Sequence, residues 1–286
     1  PSFAFKGHYD GNGKAIRNVN SMGGGNRQGF SNKIIIGRSN MIFGSIKDKS
    51  SITHLQVENC GLAEKIQGSQ IKYCKSINAH LVGSTSENTE IAYCQVIRSG
   101  LVLKDVENTK IIGCQITAGY LIRGSATSST ISHCQAIDGY SLVIESVVNT
   151  IISDCAVAML WEDESFGMGY NGGITSYVSG SDQFPIERCF VSGKFSSSYH
   201  NVYFGGISGA IKNGFIQQCA VGLLELNDLK SKRDFKRILC KTDSGYWFRL
   251  SNNASIDTNP GLDDPNGQDG KTVAAVRFNQ RFFEGN

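Results

Sequence analysis

The chemistry-bearing residues of this chain that stand out are its nine cysteines, and they keep time. Cys74, Cys94, Cys114 and Cys134 lie 20 residues apart, and Cys155 follows 21 later. Thiols serve as metal ligands, redox pairs or nucleophiles, and each use sets a demand on spacing. Zinc ligation calls for pairs a few residues apart, yet no Cys-x-x-Cys occurs and His8, His54, His80 and His200 share no ligand spacing, so no metal is expected. A cysteine nucleophile needs an imidazole in reach. His133 precedes Cys134, but neighbours on a strand face opposite ways, which separates the pair between surface and core. A disulfide framework suits short chains without a core; here 286 residues are 40% hydrophobic, and free thiols packed as small apolar groups are the favoured reading. Cys60 and Cys240 fall off the beat, and their exposure stays open.

The frame around each cysteine points the same way. It reads Ile91-Ala-Tyr-Cys94-Gln-Val96, Ile111-Ile-Gly-Cys114-Gln-Ile116 and Ile131-Ser-His-Cys134-Gln-Ala136. Looser copies surround Cys74, Cys155, Cys189 and Cys219, and Leu55 takes the cysteine place in the earliest. These eight positions, Leu55 to Cys219, are expected to form one ladder inside a solenoid. A 20-residue unit is too short for two packed helices, and its β-branched residues alternate with polar ones, so each unit should be a coil of short strands. Ile-x-x-Cys-x-Val reads as one strand, Gly100, Gly119 and Gly139 as corners, Leu121-Ile122 as a second strand, and Asn88, Asn108 and Asn149 as polar turns. The fold class is all-β, a right-handed parallel β-helix, with the hand taken from the general chirality rule.

Residues 1–50 are expected to give an N-terminal β cap and first coil, with Asp10-Gly-Asn12-Gly13 as a hairpin turn. Residues 51–222 form the coils, interrupted near 158–184 and 195–213, and 223–286 form a C-terminal cap and tail. Within that cap Leu223 to Cys240 reads as a helix with a partial apolar stripe and a basic face. The aromatic-basic ending, which carries no stop signal, leads to the expectation of a longer parent chain with further domains.

Three stretches carry a resemblance. Phe5-x-Gly7-x-x-Asp10-Gly-Asn12-Gly-x-x-Ile16-x-Asn18, then Met41-Ile-Phe43-Gly44-Ser-Ile46, then Gly205-Gly206-Ile207-Ser-Gly209 ahead of Ile216-x-x-Cys219-x-Val221-Gly222, resemble the GLUG-type β-helix repeats. The similarity spans roughly residues 3–222 and is strongest at its two ends; the middle coils lack the Gly-Gly-Leu-Val-Gly strand. It implies a scaffold of the kind found in large bacterial surface and secreted proteins. The motif brings no catalytic residues of its own.

Charge names no partner: 28 basic against 25 acidic residues leave +3, and no apolar run of 18 residues exists. Neither nucleic acid nor membrane insertion is therefore expected, and no cofactor. Function should sit where the beat breaks, since insertions in solenoids emerge as loops and loops bind. The first insertion carries Trp161, Glu162, Asp163, Glu164, Phe166 and Tyr170; the second carries Tyr199, His200 and Tyr203. Leaving adjacent coils at similar phase, they are expected side by side as an aromatic and acidic patch for a host protein or glycan. The competing expectation is that these aromatics fold down over the helix.

The preferred reading is a non-enzymatic binding or adhesion module, extracellular or on a bacterial surface. A polysaccharide lyase or hydrolase is the alternative and would need two acids on one face, to be drawn from Asp138, Glu145, Asp154 and Asp182 beside the consecutive Glu162 to Glu164. A second alternative is a translocated effector in host cytosol, which the free-thiol ladder favours over an autotransported passenger.

Overall fold

The structure, a computed structural model, describes residues 4–17, 41–161, 169–181, 183–196, 202–227, 235–236, 238–242, 248–251, 253–256 and 271–273. They form a parallel β-helix, and every strand pairing is parallel. One coil shows the plan. Ser86–Glu87, Glu90–Ala92, Gln95–Ile97 and Gly100–Val102 make four short sides, each pairing with its counterpart 20 residues on. The Ile-x-x-Cys-x-Val frame is thus two strands meeting at a corner, where the sequence pattern alone read one.

The corner has a cause. Tyr93 adopts φ 54°, and the equivalent residues Tyr73, Gly113, His133, Asp154, Arg188 and Gln218 also lie between φ 51° and 61°. A left-handed residue bends the chain and turns the next side chain, the cysteine, inward. Such a φ costs non-glycine residues about 1–2 kcal/mol. Coil-to-coil bonding offsets it: the Tyr93 N–H donates to the Ile112 carbonyl at 2.8 Å, and that of Gly113 to Ser132 at 3.0 Å.

Inward residues recur every fifth position, so the 20-residue beat is four equal steps. Ile91, Val96, Leu101, Val106, Ile111, Ile116 and Leu121 are all buried and belong to one continuous core. At about 25 cal/mol per Å², each such side chain contributes about 1.5–3 kcal/mol. Spacing is tight at the corners too. A Cβ on Gly119 would lie 1.9 Å from the Ser99 carbonyl oxygen, so glycine is required there.

Both ends depart from expectation. At the N-terminus, His8–Asp10 pairs with Ser51–Thr53 and Ala15–Arg17 with Gln56–Glu58. The Asp10 to Gly13 turn is therefore a coil corner and not a hairpin. The helix expected over Leu223 to Cys240 is overturned: Ala220–Asn227 and Leu239–Thr242 are strands, with Phe235–Lys236 between them, and 228–234 lie outside the described residues. Pairing decides it, because Ala220–Asn227 aligns with Phe190–Ser196 and places Leu226 opposite Phe195.

The insertions widen the body. The third side grows from three residues at Gln95–Ile97 to six at Ala156–Trp161, seven at Phe190–Ser196 and eight at Ala220–Asn227. The chain then returns through a separate ladder, Gly169–Gly172, Val202–Gly205 and Phe235–Lys236. Phe195 and Phe204, both fully buried with rings 4.5 Å apart, fill the added interior.

Replacing Ile111 by Ala in the narrow section should lower unfolding free energy by about 2–5 kcal/mol, read from urea denaturation. A loss under 1 kcal/mol would contradict a close-packed coil.

Candidate functional site

The thiols come first, because they carry the sequence's most regular signal. Cys74, Cys94, Cys114, Cys134, Cys155, Cys189 and Cys219 are all buried at the second corner, and no disulfide joins any of the nine cysteines. Each Sγ–H donates to the carbonyl two residues back, as Cys134 does to Ser132 at 3.3 Å and Cys155 to Ser153 at 3.1 Å. Burial pushes the thiols of Cys114, Cys155 and Cys219 well above their ordinary range, and the adjacent thiols push the same way. They stay protonated and unreactive at neutral pH. His133 is exposed on the corner while Cys134 is sealed beneath it.

The first corner repeats the device with oxygen, and the sequence reading missed it. Ser69, Thr89, Thr109, Ser129 and Thr150 are buried and each hydroxyl donates to the carbonyl two residues back, at 2.7–3.0 Å. The signal was present as a 20-residue Ser/Thr beat five positions ahead of the cysteines. Asn253 continues the cysteine column after Cys219. Its Oδ1 accepts the Cys219 N–H at 2.9 Å and its Nδ2 donates to the Ile216 carbonyl at 3.1 Å. Buried in this way, the Asn253 amide is committed to the fold. Cys60, left open by sequence, is buried in the core, and Cys240 is half-buried.

Outside the thiol ladder, the left-handed residues form a surface column. His54, Tyr73 and Tyr93 stack face to face, centroids 5.1 and 5.3 Å apart, with the two tyrosines about half exposed. Gly113 ends the stack, since a Cβ there would lie 2.7 Å from the Tyr93 ring. Further along, Arg188 grips Asp154 with Nε–Oδ1 2.7 Å and Nη2–Oδ2 2.9 Å, holding that carboxyl below its usual range. His80, at the foot of the fourth side, is neutral: its Nδ1 accepts the Gly100 N–H at 3.1 Å and the Ser99 hydroxyl at 2.9 Å, and burial lowers its pKa. Tyr120 tilts against it, its phenol pushed up to about 12 by burial.

Of the sequence-derived site, Tyr170 and Tyr203 come together. They are register partners on the return ladder, half-buried, with rings 5.0 Å apart. Trp161 is in register with Phe195 at the end of the widened third side. Glu162, Asp163, Glu164, Phe166, Tyr199 and His200 lie outside the described residues, as does Asp182. Phe204, next to Tyr203, folds into the core. The described candidate acids lie apart: Asp138 and Asp154 occupy different corners, and Glu145 sits on the Val143–Val148 strand where Ser125 Oγ meets it at 3.5 Å. Among the described residues no cluster of three or more His, Cys, Asp or Glu could hold a metal.

Comparison of the chain with family models, with curated proteins and with solved structures finds no match.

The eight thiols from Cys60 to Cys219 should resist Ellman's reagent in the folded protein and react on denaturation; rapid native reaction of more than Cys240 would contradict the sealed ladder. His80 gives a pH signature. With its folded pKa below the unfolded 6.5, the unfolded chain binds the proton first, so stability is full above about pH 6.5 and falls below it, by at most about 1.4 kcal/mol per pH unit. Urea titrations of wild type and His80→Gln should run parallel above pH 7 and converge or cross as pH drops toward 5.

Proposed function

We propose that this chain is a non-catalytic β-helix binding module of a bacterial surface or secreted protein, holding a host protein or glycan at its widened coils. The observation that carries the reading is the Tyr170–Tyr203 pair. The two residues come from separate insertions, yet meet in register with rings 5.0 Å apart on a ladder the narrow coils lack. Half-buried tyrosines are stiff and amphipathic, with an apolar ring for contact and a phenol for a hydrogen bond, the properties that favour tyrosine in recognition surfaces. The ring positions are held from behind. Phe204, adjacent to Tyr203, is locked against Phe195, and Asn171, adjacent to Tyr170, is buried. A site seated on a rigid ladder loses little conformational entropy on binding. The similarity of the end segments to GLUG-type repeats supports the same assignment, because those repeats serve as scaffolds.

An enzyme reading draws less support, since the described acids stand on different corners and Asp154 is committed to Arg188. The test is binding to arrays of host glycans and extracellular proteins, followed by titration of the hits. Tyr170→Ser with Tyr203→Ser should weaken binding at least about tenfold while leaving the urea midpoint of the narrow coils in place. Unchanged affinity would remove the widened coils as the site.

A further inference from the structure

A second surface, at the opposite end of the described coils, has the makings of a ligand site. Tyr73 and Tyr93 sit at φ 56° and 54°, a conformation that bulky side chains rarely adopt and for which glycine and asparagine serve better. The chain nevertheless uses tyrosine there, about half exposed, and stacks His54 against Tyr73. The left-handed turn itself recurs at every second corner, so what sets this place apart is the exposed, stacked rings and not the backbone. A shallow, open depression of about 510 Å³ adjoins the stack, lined by Asp10, Asn12, His54, Gln56, Tyr73 and Lys75. That volume falls in the range of small-ligand sites, about 300–1,000 Å³.

The rim is pre-formed. Gly11 and Gly13 donate to the Thr53 and His54 carbonyls at 2.8 Å each, Lys14 N–H donates to the Gly11 carbonyl at 2.8 Å, and Asn12 N–H donates to Asp10 Oδ1 at 2.9 Å. The Asn12 N–H and His54 hold the Asp10 carboxyl below its usual range, so it remains an acceptor.

We infer that this depression binds a neutral saccharide. One carboxylate and one ammonium offset each other in the lining, which disfavours strongly anionic ligands. Carboxylate, two amides, imidazole, ammonium and phenol supply donors and acceptors on several sides, matching a ring of hydroxyl groups. The ring faces of the stack are spent on one another, so Tyr73 offers its edge and its hydroxyl. This site is separate from the Tyr170–Tyr203 pair, and either can fail alone.

The experiment uses an array of neutral and acidic oligosaccharides, calorimetric titration of the strongest neutral hit, and amide chemical-shift mapping on the wild-type protein. Neutral oligosaccharide binding is expected, weakened at least tenfold by Asp10→Asn and by Tyr73→Asn, whose new side chain tolerates the left-handed backbone. Shifts in the wild type should centre on Asn12, Gly13 and Gln56. Binding of acidic glycans only, shifts centred elsewhere, neutral binding lost through Tyr170→Ser but not Tyr73→Asn, or no neutral binding at millimolar concentration would each overturn the inference.

Discussion

The coil-to-coil backbone hydrogen bond sets everything else in this molecule. Each strand donates to the next coil at a rise of about 4.8 Å, and the pairing register holds at 20 residues through the narrow section. That rise is also close to the contact distance of stacked side chains. Like therefore falls on like: thiol on thiol at the second corner, hydroxyl on hydroxyl at the first, ring on ring outside, amide on amide where Gln95 meets Gln115 at 3.3 Å. The cysteines and the Ser/Thr column answer one need. A corner turned by a left-handed residue leaves a carbonyl two residues back that a small inward donor can reach, and Cys, Ser and Thr all fit.

Much of this was legible in the residues, though not at the right grain. The Cys74 to Cys155 beat announced a stacked solenoid and inward thiols. It concealed the corner, because a left-handed residue such as Tyr93 or His133 has no compositional mark, unlike Asn88 or Gly113. Read as one strand, Ile91 to Val96 gave two sides where the coil has four. Leu223 to Cys240 misled for a related reason: its apolar spacing is compatible with a helix, and only the long neighbour Phe190–Ser196, paired with Ala220–Asn227, turns its first residues into sheet. Tertiary pairing outweighs local pattern there.

The surfaces proposed for recognition share a logic with the core. Tyr73 and Tyr93 lie on a column that elsewhere carries Gly113, His133 and the Asp154–Arg188 pair, so one structural position is varied while its backbone stays constant. Tyr170 and Tyr203 use the same principle on the return ladder. The strand character of the insertions could not be read from composition. What could be read was that both departures from the 20-residue period were rich in aromatics.

The lengthening of the third side from Gln95–Ile97 to Ala220–Asn227 gives the coils unequal perimeters. Stability in a stacked array is a sum over neighbours, so a coil is replaceable only by one that matches both faces. Between Ile71 and Ile131 successive coils keep a 20-residue register, and gene duplication or loss of one 20-residue unit there would preserve the strand pairing and the inward ladder. Beyond Cys155 each coil fits only its own neighbours. Lineages carrying this fold should vary in length through the narrow section and keep the wide section constant in number.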